Sequence, residues 1–245
     1  MKRLFVTVTM LAAAVSLFAG DAAAFVDLGF SRDGKTYIFG QYGKTDVEFN
    51  GYAEIYTVDV RKNDFVPTGV FKTVDRDGRS GNEVFSGLKM QHKGFLDKYK
   101  PAPVGEKSML YLREDSSKGS AEEIVFKDFE GSTPSADVFY SIRLVPMYEG
   151  RGGATKSSFY IVAEKKSGDG RVLSRFVAGN PDVQRKGVTG YAIDRIYTSP
   201  DGAGMVFVVE KTVEDHSGVS IRYMVETVAL PTSLAAITSE PVVEK

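Results

Sequence analysis

The chain has no cysteine and no tryptophan, and its only histidines are His92 and His216. Without thiols it forms no disulfide, builds no thiolate metal site and has no cysteine nucleophile. A zinc site made from imidazoles would need both histidines plus a carboxylate. The missing tryptophan removes the broadest aromatic platform for a glycan, and most of the 12 tyrosines and 16 phenylalanines sit inside strand-like runs, where core packing claims them. Net charge is small as well. The 31 basic and 32 acidic residues nearly cancel, so no long-range field draws a polyanion, and no nucleic-acid partner is expected. After residue 24 no apolar run reaches the ~20 residues of a membrane-spanning helix.

What is present begins at the N-terminus. Lys2 and Arg3 precede a stretch from Leu4 to Ala19 broken only by Thr7, Thr9 and Ser16. Gly20, Asp21 and the run Ala22-Ala23-Ala24 follow. A charged end, an apolar centre and an A-x-A site together predict a signal peptide over 1–24. Asp21 stands where a lipoprotein signal would need cysteine, so no lipid is attached there. The protein is therefore expected in the periplasm or outside the cell. Residues 25–230 are expected to form one mainly β domain, and 231–245, from Pro231-Thr232-Ser233 onward, a loose tail.

The mature chain is a series of short runs rich in Val, Ile, Tyr and Phe, separated by Gly, Asp, Asn and Ser. Runs fall at 36–39, 53–60, 109–112, 124–126, 138–147, 158–163, 171–178, 193–198, 205–210 and 219–228. This predicts about a dozen mostly antiparallel strands, arranged as a sandwich or an open propeller-like stack. The Asp115–Gly119 stretch is expected to close a hairpin between 109–112 and 124–126. Gly150–Gly153 is expected to close another between 138–147 and 158–163. Met205–Val209 is apolar throughout, so both faces should be covered. Ile221, Tyr223 and Val225 alternate with Arg222, Met224 and Glu226, which predicts one buried and one wetted face.

One segment departs from this pattern. Ser80 and Glu83 form a capping box, and Val84, Leu88, Phe95 and Tyr99 recur at helical spacing before Pro101. This predicts one amphipathic helix near 80–99, with Lys89, Lys93 and Lys98 on its solvated face.

An internal repeat is visible. Phe30-Ser31-Arg32-Asp33-Gly34-Lys35 and Thr198-Ser199-Pro200-Asp201-Gly202-Ala203 both place a Ser-x-Asp-Gly turn between strands. Asp caps such a turn, and Gly adopts the positive φ it needs. With Ile55-Tyr56-Thr57-Val58-Asp59, the first copy resembles the repeat of TolB-type periplasmic propellers. Phe25–Ser31, Gln41-Tyr42-Gly43, Tyr52–Tyr56 and Phe65-Val66-Pro67 are similar to a bacterial family of predicted secreted proteins with a domain of unknown function. That resemblance implies export and assigns no activity.

Three other motifs bear on chemistry. Asp215-His216-Ser217 holds the three triad residue types, but adjacency in sequence does not make triad geometry. Asp75, Asp77 and Glu83 suggest a loose calcium loop over 73–83. An EF-hand is excluded, because Thr73 and Val84 occupy positions that need carboxylates. Gly150–Ser157 resembles a phosphate loop, yet Thr155 replaces a glycine and a strand follows in place of a helix. No catalytic, cofactor-binding or metal-binding residue is assigned. The expected role is a non-enzymatic binding module contacting another envelope component through sheet edges and hairpin loops, such as 151–153 and 215–218. Two alternatives stay open: a periplasmic hydrolase using two carboxylates, and a calcium or small-ligand module.

Overall fold

The computed structural model describes residues 21–45, 48–114 and 123–230. The expected signal peptide, apart from residues 21–24, and the expected tail lie outside these residues, as does the Asp115–Gly119 turn.

The described chain folds into thirteen strands in three antiparallel sheets, with two helices. The first sheet is a meander of β1 (Ala24–Phe30), β2 (Thr36–Lys44), β3 (Gly51–Asp59) and β4 (Asp64–Val74). Helices α1 (Gly81–Gln91) and α2 (Lys93–Tyr99) follow. The outer sheet holds β6 (Ile124–Lys127), β7 (Val138–Glu149), β8 (Lys156–Ser167), β9 (Val172–Ala178) and the short β10 (Arg185–Lys186). The middle sheet runs β13 (Gly218–Ala229), β12 (Gly204–Asp215), β11 (Val188–Thr198), then β5 (Met109–Leu112). The mainly β, antiparallel expectation is met.

Layering follows from the pattern of apolar residues. On β12, Met205, Phe207 and Val209 pack with Phe159, Ile161 and Ile142 of the outer sheet. Val206 and Val208 pack with Tyr37, Phe39 and Val58 of the first sheet. All five β12 residues are fully buried, as their unbroken apolar run requires. The far face of the first sheet carries Ile38, Ala53 and Ile55 against Val84, Phe85 and Leu88 of α1. The layers therefore run helices, first sheet, middle sheet, outer sheet. The stack ends where the outer sheet turns charged: Glu164 pairs with Lys166 and Arg175, and Lys166 also reaches Glu123.

Three expectations are corrected. The helical segment is two helices, because the chain breaks at His92 (φ −103°, ψ 18°), whose ring stacks on Phe71 at 3.7 Å between centroids. The capping box itself is present, with Ser80 and Glu83 each serving the other's backbone N–H. The 109–112 and 124–126 runs form no hairpin. β5 pairs with β11 and β6 with β7, so the two strands enter different sheets. β13 does not alternate in exposure, since Arg222 and Met224 are half-buried like Ile221 and Tyr223, and Glu226 is buried as Val225 is. By contrast, β7 and β8 pair from Val138–Ser167 to Glu149–Lys156, as expected.

The Ser-x-Asp-Gly turn recurs with one geometry. In each copy the serine hydroxyl donates to the aspartate (Ser31 to Asp33, Ser199 to Asp201), and the glycine N–H donates to the serine carbonyl. Ser167-Gly168-Asp169-Gly170, joining β8 to β9, makes the same bonds and is a third copy.

Candidate functional site

The motifs noticed in the sequence are mostly accounted for by structure. Asp75 accepts from Arg79 Nε at 2.8 Å, from the Arg79 N–H at 2.8 Å and from the Asp77 N–H at 3.1 Å, while Glu83 is committed to Ser80. The Arg79 guanidinium holds Asp75 below the usual carboxylate range. A calcium ion would have to displace that arginine. Asp215 accepts from Ser217 at the tip of the β12–β13 hairpin, and His216 is exposed beside it, so this is a capped turn. Gly152–Ala154 forms one short 3-10 turn leading into β8. The two loops singled out in the sequence do meet: Gly152 and Gly153 lie against Glu214 and Asp215, and Gly187 bonds to both loops. Lys89, Lys93 and Lys98 are exposed. Among the described residues, no group of three or more His, Asp or Glu is placed to hold a metal ion, and no helix is long and apolar enough to cross a membrane.

Two carboxylates are pushed up by burial, Asp27 and Glu226. Asp27 on β1 accepts from the Val104 N–H and the Tyr37 hydroxyl. Glu226 on β13 accepts from Asn63 and pairs with Arg185. They belong to separate networks, whereas a two-carboxylate hydrolase needs both acids flanking one bond.

Cavities border the layers among the described residues. One of about 320 Å³ includes Tyr140, Phe176, Met205 and the ion pair of Asp128 with Lys165 (2.6 Å). One of about 560 Å³ runs beneath the helices past Met90, Leu96 and Pro103. The third, about 400 Å³, is lined by Thr45, Tyr52, Glu54, Lys72, Thr73 and Arg222. Polar side chains supply most of its lining, with Val74 beside them.

Alternation along β3 sends Tyr52, Glu54 and Tyr56 to the face opposite Ala53 and Ile55, away from the helices. Glu54 accepts from Gln41 Nε2 at 2.7 Å and from the Tyr56 hydroxyl at 2.6 Å, and Lys72 approaches it at 3.3 Å. Gln41 in turn accepts from the Tyr223 N–H, fastening the first sheet to β13. Arg222 stacks over the Tyr52 ring at 4.6 Å and donates to the Asp21 carboxylate at 2.7 Å. Asp21 is held by its backbone too: its carbonyl accepts from the Ile221 N–H, and the Ala23 N–H donates to the Ile221 carbonyl.

Lys211 of β12 stands opposite Arg222 in the ladder, on the same strand face as Val209 and Val213, toward the outer sheet. Burial lowers its pKa to about 8, helped by Arg185, Lys72 and Arg222 and opposed by Glu54. A lysine of the middle sheet thus senses side chains of both flanking sheets. The cleft, with its mutually fixed polar side chains, is the candidate site. Sequence reading missed it, because positions 21, 54, 72 and 222 form no motif.

No curated protein and no solved structure matches the chain. A family model does, over residues 38–229, from β2 to the end of β13. The chain belongs to the family described as "Predicted secreted protein (DUF2259)".

Proposed function

We propose that this protein is a non-enzymatic binding module of the cell envelope, and that the cleft between β3, β4 and β13 receives its partner or ligand. One observation carries this reading: the polar groups of the cleft are strand side chains already fixed by one another. Glu54 is engaged by Gln41, Tyr56 and Lys72, and Arg222 by Asp21 and Tyr52. Preset polar groups on rigid strands favour recognition. A carboxylate so fully engaged is poorly placed to abstract a proton.

The test is site-specific photo-crosslinking in cells. A photoreactive residue at Thr45 or Thr73, on the cleft, is expected to capture the same envelope component. The same residue at exposed Arg175 of the outer sheet should not. Capture equal at all three positions, or at none, would remove this reading.

A further inference from the structure

We infer that the groove beneath the helices binds a fatty-acid-like amphiphile, with the alkyl chain along its apolar floor and the single negative charge held by Lys89 and Lys100. The groove lies where α1 and α2 meet β1, and shares no lining residue with the cleft between β3, β4 and β13. Its volume, about 560 Å³, falls within the range of small-molecule sites.

Three segments build it. One stripe of α1, with Val84, Phe85 and Leu88, is spent on the first-sheet core. The neighbouring stripe, with Ser86, Lys89 and Met90 at helical spacing, is left to line the groove. Lys100 caps α2 in the left-handed conformation (φ 46°) and turns the chain into the wall that carries Pro101 and Pro103. The fixed φ of proline stiffens that wall. Two bonds tie it to β1: the Ala102 N–H donates to the Phe30 carbonyl, and the Val104 N–H to the Asp27 carboxylate. The groove is therefore shaped before a ligand arrives, which lowers the ordering cost of binding.

Its chemistry has two parts. The floor is Leu28, Met90, Leu96, Pro101 and Pro103. Met90 is 71% exposed, an adaptable thioether suited to apolar ligands of varied shape. The rim is cationic. Of its two acids, Asp97 is taken by Lys93, and Asp27 by the Val104 N–H and the Tyr37 hydroxyl. Lys89 and Lys100 are the lining ammonium groups left without an acid partner among the described residues. An alkyl chain with one anionic end matches both parts at once. A short anion would leave the floor in water, and a cationic chain would be repelled at the rim.

The experiment is calorimetry on the full exported chain with three probes kept below their micelle concentrations: decanoate, butanoate and decyltrimethylammonium. Decanoate should bind at one site per chain. Butanoate keeps the charge and loses six methylenes, each worth roughly three- to fourfold when buried, so it should bind at least about tenfold more weakly. Decyltrimethylammonium keeps the chain length and reverses the charge, and should also bind about tenfold more weakly. In the double variant Lys89→Glu, Lys100→Glu the preference should invert, with the cation binding more tightly than decanoate. Lost folding cannot produce an inverted preference. Met90→Gln, at an exposed position, should melt as wild type does and lose roughly threefold or more in decanoate affinity. The inference is overturned if decanoate does not bind, if butanoate or the cation binds wild type as tightly, if the double variant keeps the wild-type preference, or if Met90→Gln binds decanoate unchanged.

Discussion

Lys211 and Arg222 face each other across the β12–β13 ladder, two cations of which, among the described residues, only Arg222 has an acid partner. The folded state therefore carries a cost that follows from the lowered pKa of Lys211, about 8 against 10.5 for an ordinary lysine. Between those values the unfolded chain holds more protons than the folded one, so stability rises with pH there; below about pH 8 the cost is fully present. It is on the order of 3 kcal/mol. Lys211→Met is expected to be more stable than wild type at neutral pH and to lose the rise between about pH 8 and about pH 9.5 in urea titrations. Above about pH 10 the buried tyrosines act the other way. Tyr140 and Tyr223, pushed up to about 12 chiefly by burial, keep their protons in the fold after the unfolded chain has lost them.

The Asp21 clasp gives a second prediction. Asp21→Asn leaves Arg222 without its counter-ion and should cost about 3 kcal/mol. A chain beginning at Phe25 also loses the two backbone bonds to Ile221, and should melt lower still. Cleavage at the end of the expected 1–24 signal peptide would remove Asp21, whereas the clasp predicts that the intact mass of the exported protein includes it. A mass corresponding to Phe25 as first residue would show that the mature fold does without the clasp.

Two glycines separate strain from crowding. Gly29 (φ +97°) sits at a bulge in β1, and a Cβ there would lie 1.6 Å from the Ala102 carbonyl oxygen. Gly78 (φ +88°) has open space around it. Gly78→Ala should cost roughly 1–2 kcal/mol, the left-handed penalty alone. Gly29→Ala should exceed that by about 1–3 kcal/mol, because backbone must move. Equal losses in denaturant titration would mean that the 29–102 contact relaxes freely.

Phe207 is fully buried in β12 between neighbours of the outer sheet. Phe207→Ala should cost about 3–5 kcal/mol. Because β12 contributes to the cores on both of its faces, the loss should show as one lowered transition shared by the whole protein in calorimetry, with no separate melting of the outer sheet.

Much of the fold was legible where its cause is local. The box of Ser80 with Glu83, the Gly150–Gly153 hairpin and the twice-covered Met205–Val209 run each depend on a few adjacent residues. The errors arose where partners are distant. Asp115–Gly119 has turn chemistry, but the sheet each flanking strand joins is decided by β7 and β11. Glu226 is polar, yet Asn63 and Arg185 supply its hydrogen bonds and so permit its burial. The cleft was invisible for the same reason. Asp21 falls in the segment that charge and apolar pattern assign to export, and nothing near Arg222 in sequence announces Tyr52.

The parallel bridge between Ala22 and Ile221 has a consequence for how the protein reaches its compartment. A chain that crosses a membrane N-terminus first delivers Asp21–Ala23 at the start and β13 almost at the end. The β1–β4 meander can form from neighbouring residues, but the clasp closes only when nearly the whole chain has emerged. Closing so long a loop is slow compared with forming local hairpins. The N-terminal edge of the fold is therefore completed only after β13, its last strand, is in place.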